Sequence, residues 1–266
     1  MIISIHRPQT LKPGDVVNVP NKTTGITSNE NFDFFLAGLI DGDGHFSKIP
    51  QLVVCFCEKD ASVAYFLKKK IGYGVVSKIK SKKAFKYVIS HSLGLQIVSS
   101  LIYNKLQHDQ KIIQYNTRLL QLKNWKLTQK QNFCFKENAW FSGFFLSDGC
   151  FQIKVIQRQN KVLPEVRLVI QIDQKSADLL LQIKNEFGGS VGFRQTQKTY
   201  YYSSVSFASA KNIINYFDKF HLMGVKLTQY VLWRKVYLRI IHNRHLTQVG
   251  VKWIIGVKKR MSKLSL

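Results

Sequence analysis

Acidic residues are scarce in this chain of 266 residues, which contains 15 Asp and Glu against 40 Lys and Arg, for a formal net charge of +25 at pH 7. A basic surplus of this size is typical of proteins that bind nucleic acids. An anionic membrane surface is the other partner that such a charge would suit. However, no apolar run approaches the roughly 18 residues that a membrane-spanning helix needs. The composition therefore predicts a nucleic-acid partner and no membrane.

Cysteine is also scarce. The four residues Cys55, Cys57, Cys134 and Cys150 show neither the CxxC spacing of a zinc site nor a disulfide framework. The N-terminus lacks the apolar core of a signal peptide and has too few basic residues for a convincing presequence. Because 45% of the residues are hydrophobic, the chain has enough apolar material for two domains of about 100 residues each.

A nine-residue pattern occurs twice. Residues 36–44 read LAGLIDGDG and residues 141–149 read FSGFFLSDG, so each copy is an apolar stretch that ends in Asp-Gly, at Asp43 and at Asp148. A carboxylate in the last turn of a helix faces the negative end of the helix dipole, which ordinarily costs about 0.3 to 1 kcal/mol. The same unfavourable placement in both copies predicts a compensating cation, for which a divalent metal is the simplest candidate.

A plainer interpretation is a buried amphipathic helix with a glycine C-cap, which Gly44 and Gly149 would each supply. That interpretation explains one copy of the pattern. It does not explain two copies inside a strongly basic chain.

Small residues line one side of each copy. Gly38 and Gly42 lie four residues apart, as do Gly143 and Ser147, so each helix would present a flat strip. Flat strips let two helix backbones approach closely, and crossing the helices there would bring both acidic ends together. Two adjacent carboxylates cannot both ionise cheaply without a cation. Mg²⁺, which accepts carboxylate oxygens and keeps several waters, suits such a site.

Landmarks outside the motif extend the duplication. Three pairs of positions correspond between the halves: Glu58 with Gln174, the glycine turn at 71–74 with that at 187–190, and Lys111 with Lys226. The two aspartates are 105 residues apart, whereas the later pairs are 115 or 116 apart. An insertion of about eleven residues is therefore predicted between Asp148 and Gln174, where it would lengthen the first hairpin of the second repeat.

Hydrophobic periodicity predicts the order helix, hairpin, helix, hairpin, helix within each repeat. The closing helical part is divided into two helices, near residues 93–104 and 111–124 in the first repeat and near residues 210–220 and 228–242 in the second. The chain is therefore expected to have an α+β fold of two pseudo-symmetric αββαββα repeats, each with an antiparallel sheet. The first repeat is assigned to residues 31–125 and the second to residues 139–266. Residues 1–30 form an N-terminal extension, and the polar stretch at 126–138 forms the linker.

The predicted strands and their turns are rich in Arg, Lys and Gln. Two-stranded ribbons fit the major groove of DNA, where these side chains pair with base edges and contact phosphate. An ordinary solvated sheet face is the alternative, and the charge bias favours DNA. The candidate DNA-binding residues are Lys48, Lys78, Lys80, Lys82, Lys86, Gln152, Lys154, Gln157, Arg158, Arg167, Gln171, Arg194, Gln195, Gln197 and Lys198.

The paired motif resembles that of the single-chain LAGLIDADG homing endonucleases. The first copy differs from the family name only at Gly42, and the second keeps Gly143, Asp148 and Gly149 but has Leu146 in place of the earlier acidic residue. The resemblance implies an intron-encoded, site-specific endonuclease that acts as a monomer. Its two sheets would form a saddle on a long asymmetric DNA target, and it would cut both strands across the minor groove with the help of metal.

The resemblance also implies a metal site. Asp43 and Asp148 would share two or three divalent ions, Mg²⁺ with Mn²⁺ or Ca²⁺ as substitutes, that bind the scissile phosphates and activate water. The backbone carbonyl groups of Gly42 and Ser147 would add ligands. Leu146 does not stand at a metal-binding position, so its presence is no sign of inactivity.

Four further catalytic roles follow from the resemblance. Lys111 and Lys226 match the family's active-site lysines, which stabilise transition-state charge or order the solvent. Glu58 and Gln174 match the polar residue that positions water near the metals. Because one is a carboxylate and the other an amide, the two half-sites are expected to be chemically unequal.

Two other functions remain open: an RNA maturase that assists the splicing of its own intron, with intron RNA as partner, and a catalytically inactive DNA-binding protein of the same fold. Intact Asp43 and Asp148 favour a nuclease, although maturase activity can coexist with it. Lysines at both equivalent positions, Lys111 and Lys226, argue against the inactive protein. Thirty-one Lys against nine Arg, with abundant Ile, Asn, Phe and Tyr, suggests an A/T-rich coding sequence, as in mitochondrial introns, with the chloroplast as the alternative.

Overall fold

Each copy of the repeated motif forms a helix that begins one half of the fold. In the computed structural model, which describes residues 29–265, helix α1 spans Asn29–Gly42 and its counterpart α5 spans Trp140–Asp148. The predicted N-terminal extension at residues 1–30 lies outside the described residues, except for the first two residues of α1.

The halves share one order of elements. After α1, the first half contains β1 Gly44–Phe46, β2 Leu52–Cys57, α2 Ala61–Ile71, β3 Val75–Ile79, β4 Ala84–Ile89, α3 Ser92–Ile102 and α4 Asp109–Arg118. After α5, the second contains β5 Gly149–Ile156, β6 Glu165–Gln174, α6 Asp178–Phe187, β7 Ser190–Arg194, β8 Thr199–Ser204, α7 Phe207–Lys219, α8 Gly224–Ile241 and α9 Gln248–Ser265. In the described part of the chain, no helix has both the length and the apolar character that crossing a bilayer requires.

The predicted α+β class and the two-repeat architecture are confirmed, with one difference at the end of the second repeat. Each repeat closes with the two helices that its sequence predicts, and the second repeat adds α9, which was not predicted. The apolar side chains of α9 recur every three or four residues, and Val251, Ile254, Val257 and Met261 are buried. This spacing is the usual sign of an amphipathic helix, so the sequence did contain the signal for α9.

The two sheets have identical topology. Each is antiparallel and four-stranded, with the order β1-β2-β4-β3 in the first half and β5-β6-β8-β7 in the second. The β1–β2 hairpin pairs three residues on each strand, whereas the β5–β6 hairpin pairs eight. The prediction of a longer first hairpin in the second repeat is therefore confirmed.

The register corrects the size of that insertion. Gly44 pairs with Val54, which also pairs with the buried Tyr87; in the second half, Gly149 pairs with Ile172, which pairs with the buried Tyr202. Ten residues separate the first Gly and its partner and twenty-three separate the second, so the hairpin is thirteen residues longer, not eleven. The two numbers differ because the first repeat is two residues longer in the stretch that follows. This stretch runs from Val54 to the end of α2 at Ile71 in the first repeat, and from Ile172 to the end of α6 at Phe187 in the second.

The two motif helices cross in near-contact of their backbones, at the interface between the halves. A Cβ atom placed on Gly38 would lie 1.9 Å from the carbonyl oxygen of Trp140, and one placed on Gly143 would lie 2.0 Å from that of Phe35. Both distances are well below van der Waals contact. The small residues of the motif are therefore packing requirements, as their four-residue spacing predicted.

The glycines after the aspartates are not left-handed C-caps. Gly149 has an extended backbone with φ of −77°, and Gly44 is not among the described residues with positive φ. A Cβ on Gly44 would lie 2.7 Å from Cα of Ile40, and one on Gly149 would lie 2.3 Å from the ring of Phe145. A left-handed C-cap therefore does not explain these glycines: glycine is needed because the chain turns back tightly over its own helix into the first strand.

Candidate active site

Asp43 and Asp148 lie side by side at the ends of the crossed helices. A Cβ on Gly42 would lie 3.2 Å from Oδ2 of Asp148 and 2.4 Å from Cβ of Ser147, so the two ends nearly touch. Asp148 is half-buried and Asp43 is more exposed. Desolvation, followed by repulsion from Asp43, raises the pKa of Asp148 to about 6, and desolvation also raises the pKa of Asp43.

A lysine stands beside each aspartate in an equivalent position. The Nζ atom of Lys111 donates a hydrogen bond to the carbonyl oxygen of Gly44, and that of Lys226 donates to the carbonyl oxygen of Gly149. Each lysine lies in the first turn of the second helix after the sheet of its repeat, Lys111 in α4 and Lys226 in α8. Desolvation lowers the pKa of both lysines, and the carboxylates of the pair oppose that shift.

The polar partners of the two aspartates differ. Nε2 of Gln174 donates to Oδ2 of Asp148 at 2.7 Å. Asp43 instead has the hydroxyl group of Ser147 as a hydrogen-bond donor, which lowers its pKa against the larger effect of desolvation. The two aspartates thus have chemically different hydrogen-bond donors, an amide on one side and a hydroxyl group on the other.

The correspondence between Glu58 and Gln174 is wrong. By the sheet register, Gln174 occupies the position of Phe56, two residues before Glu58. Glu58 lies in a short 3₁₀ turn, Glu58–Asp60, where its carboxylate accepts from Nζ of Lys78 at 2.7 Å and is substantially exposed. That ion pair lowers the pKa of Glu58. The predicted correspondence assumed equal spacing before the following helix, whereas the first repeat is two residues longer there. A catalytic role for Glu58 stays a prediction.

The aspartate pair fits a divalent cation. The two carboxylates repel each other, and a shared cation would remove the repulsion that raises the pKa of Asp148. Within residues 29–265 no group of three or more His, Cys, Asp or Glu side chains is positioned to hold a metal, so further ligands would be water, backbone carbonyl or phosphate oxygens. Mg²⁺ prefers this kind of ligand set. Ser147 and Gly42 lie directly at the crossing, which is consistent with their carbonyl groups contributing.

Asp41, the other acidic residue of the first motif, has a structural role that sequence reasoning missed. Its Oδ2 accepts from the backbone N of Gln107 at 2.7 Å and from Nε1 of Trp140 at 2.9 Å, and its Oδ1 accepts from the backbone N of His108 at 3.1 Å. Complete burial raises its pKa to about 7, against the effect of these hydrogen bonds. Asp41 thereby ties the start of α4, the helix of Lys111, to the motif helices.

Five candidate DNA-binding residues share one face of the second sheet. Lys154 pairs with Arg167, and directly opposed side chains of antiparallel strands lie on the same face. Gln152 and Gln171 lie on that face too, and Nε2 of Gln152 donates to Oε1 of Gln171 at 3.3 Å. Arg194, on the edge strand, also lies on this face. The other candidates of this half lie in the hairpin turns: Gln157 and Arg158 between β5 and β6, and Gln195, Gln197 and Lys198 between β7 and β8.

Two acidic residues on this basic face were not singled out from the sequence. Asp173 accepts from Nε2 of Gln171 at 2.9 Å and from Nη1 of Arg194 at 2.6 Å, which links these side chains across the sheet. Glu165 pairs with Arg158 at 3.2 Å and with Arg167 at 2.5 Å. Both carboxylates hold arginines in place in the free protein, and a phosphate would have to compete for those arginines.

The register separates Lys78 from the other candidates in the first sheet. Lys86 pairs with Cys55 on the open face, whereas Lys78 pairs with Phe85, on the face that carries the buried Tyr87. Because side chains alternate along a strand, Lys78 points away from the open face, so its role in DNA binding stays a prediction. The remaining candidates, Lys48, Lys80 and Lys82, are exposed in turns.

Comparisons with known proteins agree with this geometry. Residues 141–237 match the family model described as LAGLIDADG endonuclease. An uncharacterized cox1 intron-2 37.2 kDa protein of Schizosaccharomyces pombe is 42% identical over 261 residues, which cover 95% of this chain and 75% of that protein. The intron-encoded RNA maturase bI4 of Saccharomyces cerevisiae is 28% identical over 198 residues, which cover 72% of this chain and only 30% of the maturase.

Solved structures share the fold. The meganuclease I-SmaMI bound to uncleaveable DNA superposes with a TM-score of 0.70 at 19% sequence identity, over 85% of this chain and 97% of I-SmaMI. A further structure of I-SmaMI, with a TM-score of 0.65, was determined on uncleaved DNA in the presence of calcium ions. At this identity the likeness concerns the fold.

Proposed function

This chain belongs to the LAGLIDADG endonuclease family, and from that premise we propose that it is a site-specific DNA endonuclease, encoded within an intron, that makes double-strand breaks in a long asymmetric target. The observation that carries the proposal is the paired site itself. Asp43 and Asp148 meet at the helix crossing, and Lys111 and Lys226 stand beside them in equivalent positions. A binding protein has no need of two carboxylates where DNA phosphates would approach, because they would repel the phosphates.

The protein's own residues would bind and orient the reacting groups. Asp43 and Asp148 would hold divalent ions, of which Mg²⁺ is the first candidate. The carbonyl groups of Gly42 and Ser147 would add ligands. When bound, such an ion supplies charge neutralisation at a phosphate and a more acidic water. Gln174, already hydrogen-bonded to Asp148 at 2.7 Å, would orient water on the side of the second repeat.

Lys111 and Lys226 would act on the charge that develops in the transition state. Each ammonium group is held by a glycine carbonyl next to an aspartate, so its direction is fixed before DNA binds. Preorganised positive charge of this kind stabilises a developing oxyanion without the cost of reorganisation. Because Lys111 belongs to the first repeat and Lys226 to the second, each lysine would serve one DNA strand.

The open faces of the two sheets would form the DNA-binding saddle. Lys154, Arg167, Gln152, Gln171 and Arg194 would reach the major groove from the second sheet, and Lys86 from the first. The thirteen additional residues in the β5–β6 hairpin would let the second repeat read a longer half-site. Since one chain contains both unequal halves, the protein would act as a monomer, with the repeats divided near residues 125 and 139 as the sequence indicates.

A cleavage assay tests the proposal. The first relative is named for the second intron of cox1, so we propose a mitochondrial origin and an intronless cox1 fragment as the first DNA to examine. The purified protein should linearise a plasmid containing the uninterrupted exon junction in Mg²⁺, and should not cut in EDTA or when the intron interrupts the junction. A panel of plasmids with other intron insertion sites and a randomised library extends the search. If no DNA is cut in Mg²⁺ or Mn²⁺ by protein that binds DNA, the endonuclease proposal is refuted.

Maturase activity is the second candidate, because a relative with 28% identity is named an RNA maturase. The +25 charge would suit RNA as well as DNA. Splicing of the host intron transcript in vitro, with and without the protein, tests this activity. Asp148→Asn should leave it unchanged if RNA binds away from the aspartate pair.

A further inference from the structure

The helix that carries Lys226 is held at its start by the other half of the protein. Oδ1 of Asp60, in the first repeat, accepts from the backbone N of Val225 at 2.7 Å. A Cβ on Gly224 would lie 2.0 Å from that same oxygen, and Gly224 has a φ of +57°, which favours glycine. The approach of Asp60 to α8 is therefore close enough to exclude a side chain at position 224.

Both oxygens of the Asp60 carboxylate are engaged. Oδ2 accepts from the thiol of Cys57 at 3.1 Å, which fixes the orientation of the side chain. A carboxylate at a helix N-terminus also interacts favourably with the helix dipole. On α8 itself, the N-cap residue Met223 makes no side-chain capping bond.

In the first repeat, the aspartate that holds the lysine helix comes from the same repeat. Asp41 holds the start of α4, the helix of Lys111, through the backbone N atoms of Gln107 and His108. Leu146 occupies the equivalent position in the second motif and cannot accept a hydrogen bond. An aspartate supports each lysine helix, but in the second half it comes from the opposite repeat.

The turn that contains Asp60 lies between Val54 and Ile71, a stretch that is two residues longer than its counterpart between Ile172 and Phe187 in the second repeat. Its neighbour Lys59 donates from Nζ to the carbonyl oxygens of Lys263 and Leu264, both at 3.3 Å, near the end of α9. The Glu58–Asp60 turn thus contacts both the start of α8 and the end of α9, two helices of the opposite repeat.

We propose that Asp60 is a positioning residue for Lys226: by holding the start of α8 across the interface, it places the Lys226 ammonium group beside Gly149 and Asp148. The inference rests on the proposed endonuclease function, and it adds a residue from the first repeat to the half-site of the second. Lys226 is two residues from Gly224 and one from Val225, so loss of the anchor would displace it directly.

The test compares strand-specific nicking by the wild-type protein, Asp60→Ala and Asp60→Asn on a target labelled on either strand. In Asp60→Ala, cleavage of the strand served by Lys226 should slow about 10- to 100-fold, the usual effect of a misplaced catalytic group, while the other strand is cut at close to the wild-type rate. Asp60→Asn keeps an acceptor oxygen and should recover part of the loss. Lys226→Met identifies the strand concerned.

Asp218→Ala is the matched control. The carboxylate of Asp218, on α7, accepts hydrogen bonds from the side chains of Tyr230 and Arg234, which lie further along α8. Its removal therefore disturbs the same helix away from Lys226. It should leave the ratio of the two strand rates unchanged. An unaltered ratio in Asp60→Ala, or an equal change in Asp218→Ala, would overturn the inference.

Hydrogen exchange separates this inference from the proposed function. The amide of Val225 should lose protection in Asp60→Ala and keep it in Asp218→Ala, whether or not any DNA is cut. Wild-type protein that cuts no DNA refutes the endonuclease alone, whereas unchanged protection at Val225 refutes the anchoring role of Asp60 even in an active enzyme.

Discussion

Replacing Gly38 by Ala should separate the two motif helices and destabilise the protein severely. The new Cβ would lie 1.9 Å from the carbonyl oxygen of Trp140, whereas ordinary contact begins near 3.4 Å, so the helices would have to move apart by up to about 1.5 Å. Overpacking usually costs about 1 to 3 kcal/mol. Because the obstacle is backbone and cannot change rotamer, we expect a loss of about 3 kcal/mol or more in the free energy of unfolding.

Urea denaturation of the metal-free protein measures this loss. Gly143→Ala is an independent test of the same contact, since its Cβ would lie 2.0 Å from the carbonyl oxygen of Phe35. Gly256→Ala is the control: it is an exposed position in α9 with nothing within 4 Å of the new Cβ, and it should gain about 0.5 to 1 kcal/mol from the better helix propensity of Ala. A loss of less than 1 kcal/mol in both Gly38→Ala and Gly143→Ala would refute the close crossing on which the site depends.

Three further predictions concern titration, chemistry and recognition. Burial raises the pKa of Asp41 from 3.8 to about 7, so the folded state retains a proton that the unfolded state releases; this contribution to stability is complete below pH 4 and is lost as the pH rises to 7, by at most about 4 kcal/mol. Urea midpoints of the metal-free protein at pH 5 and 7 should show this slope, and an equal slope in Asp41→Asn would contradict its assignment. Lys111→Met and Lys226→Met should each slow cleavage of one strand far more than they weaken DNA binding, whereas comparable losses in both measurements would make these lysines ordinary phosphate contacts. Single-base substitution profiling should show a longer half-site under the second repeat, with affinity falling steeply with salt; equal tolerance at both outer flanks, or two proteins per DNA, would disprove the asymmetric monomer.

The sequence was most informative where a local pattern imposed a strong steric or chemical requirement on the structure. Gly38 and Gly143 are small because two backbones meet there, and the repeated Asp-Gly placed Asp43 and Asp148 at the same crossing. Hydrophobic alternation between clear turn signals also predicted the order of hairpins and helices within each half. Duplication then gave the architecture of the second half from that of the first.

Register and long-range contacts could not be read from residue counts. The two-residue difference before Ile71 hid the fact that Gln174 corresponds to Phe56, because an insertion and a deletion partly cancel in sequence. The face on which Lys78 lies depends on the same strand register. No role was predicted for Asp60, since its partner, Val225, is 165 residues away in the sequence.

The central claim is that Asp43 and Asp148 together hold the metal that supports cleavage. Its most direct test is cleavage of both strands of the identified target in Mg²⁺ by Asp43→Asn and Asp148→Asn, with DNA affinity measured in parallel. Each variant should lose double-strand cleavage while binding DNA at least as tightly as the wild-type protein, because a metal ligand and a repulsive charge are removed together. Cutting of both strands at close to the wild-type rate by either variant would contradict the shared site.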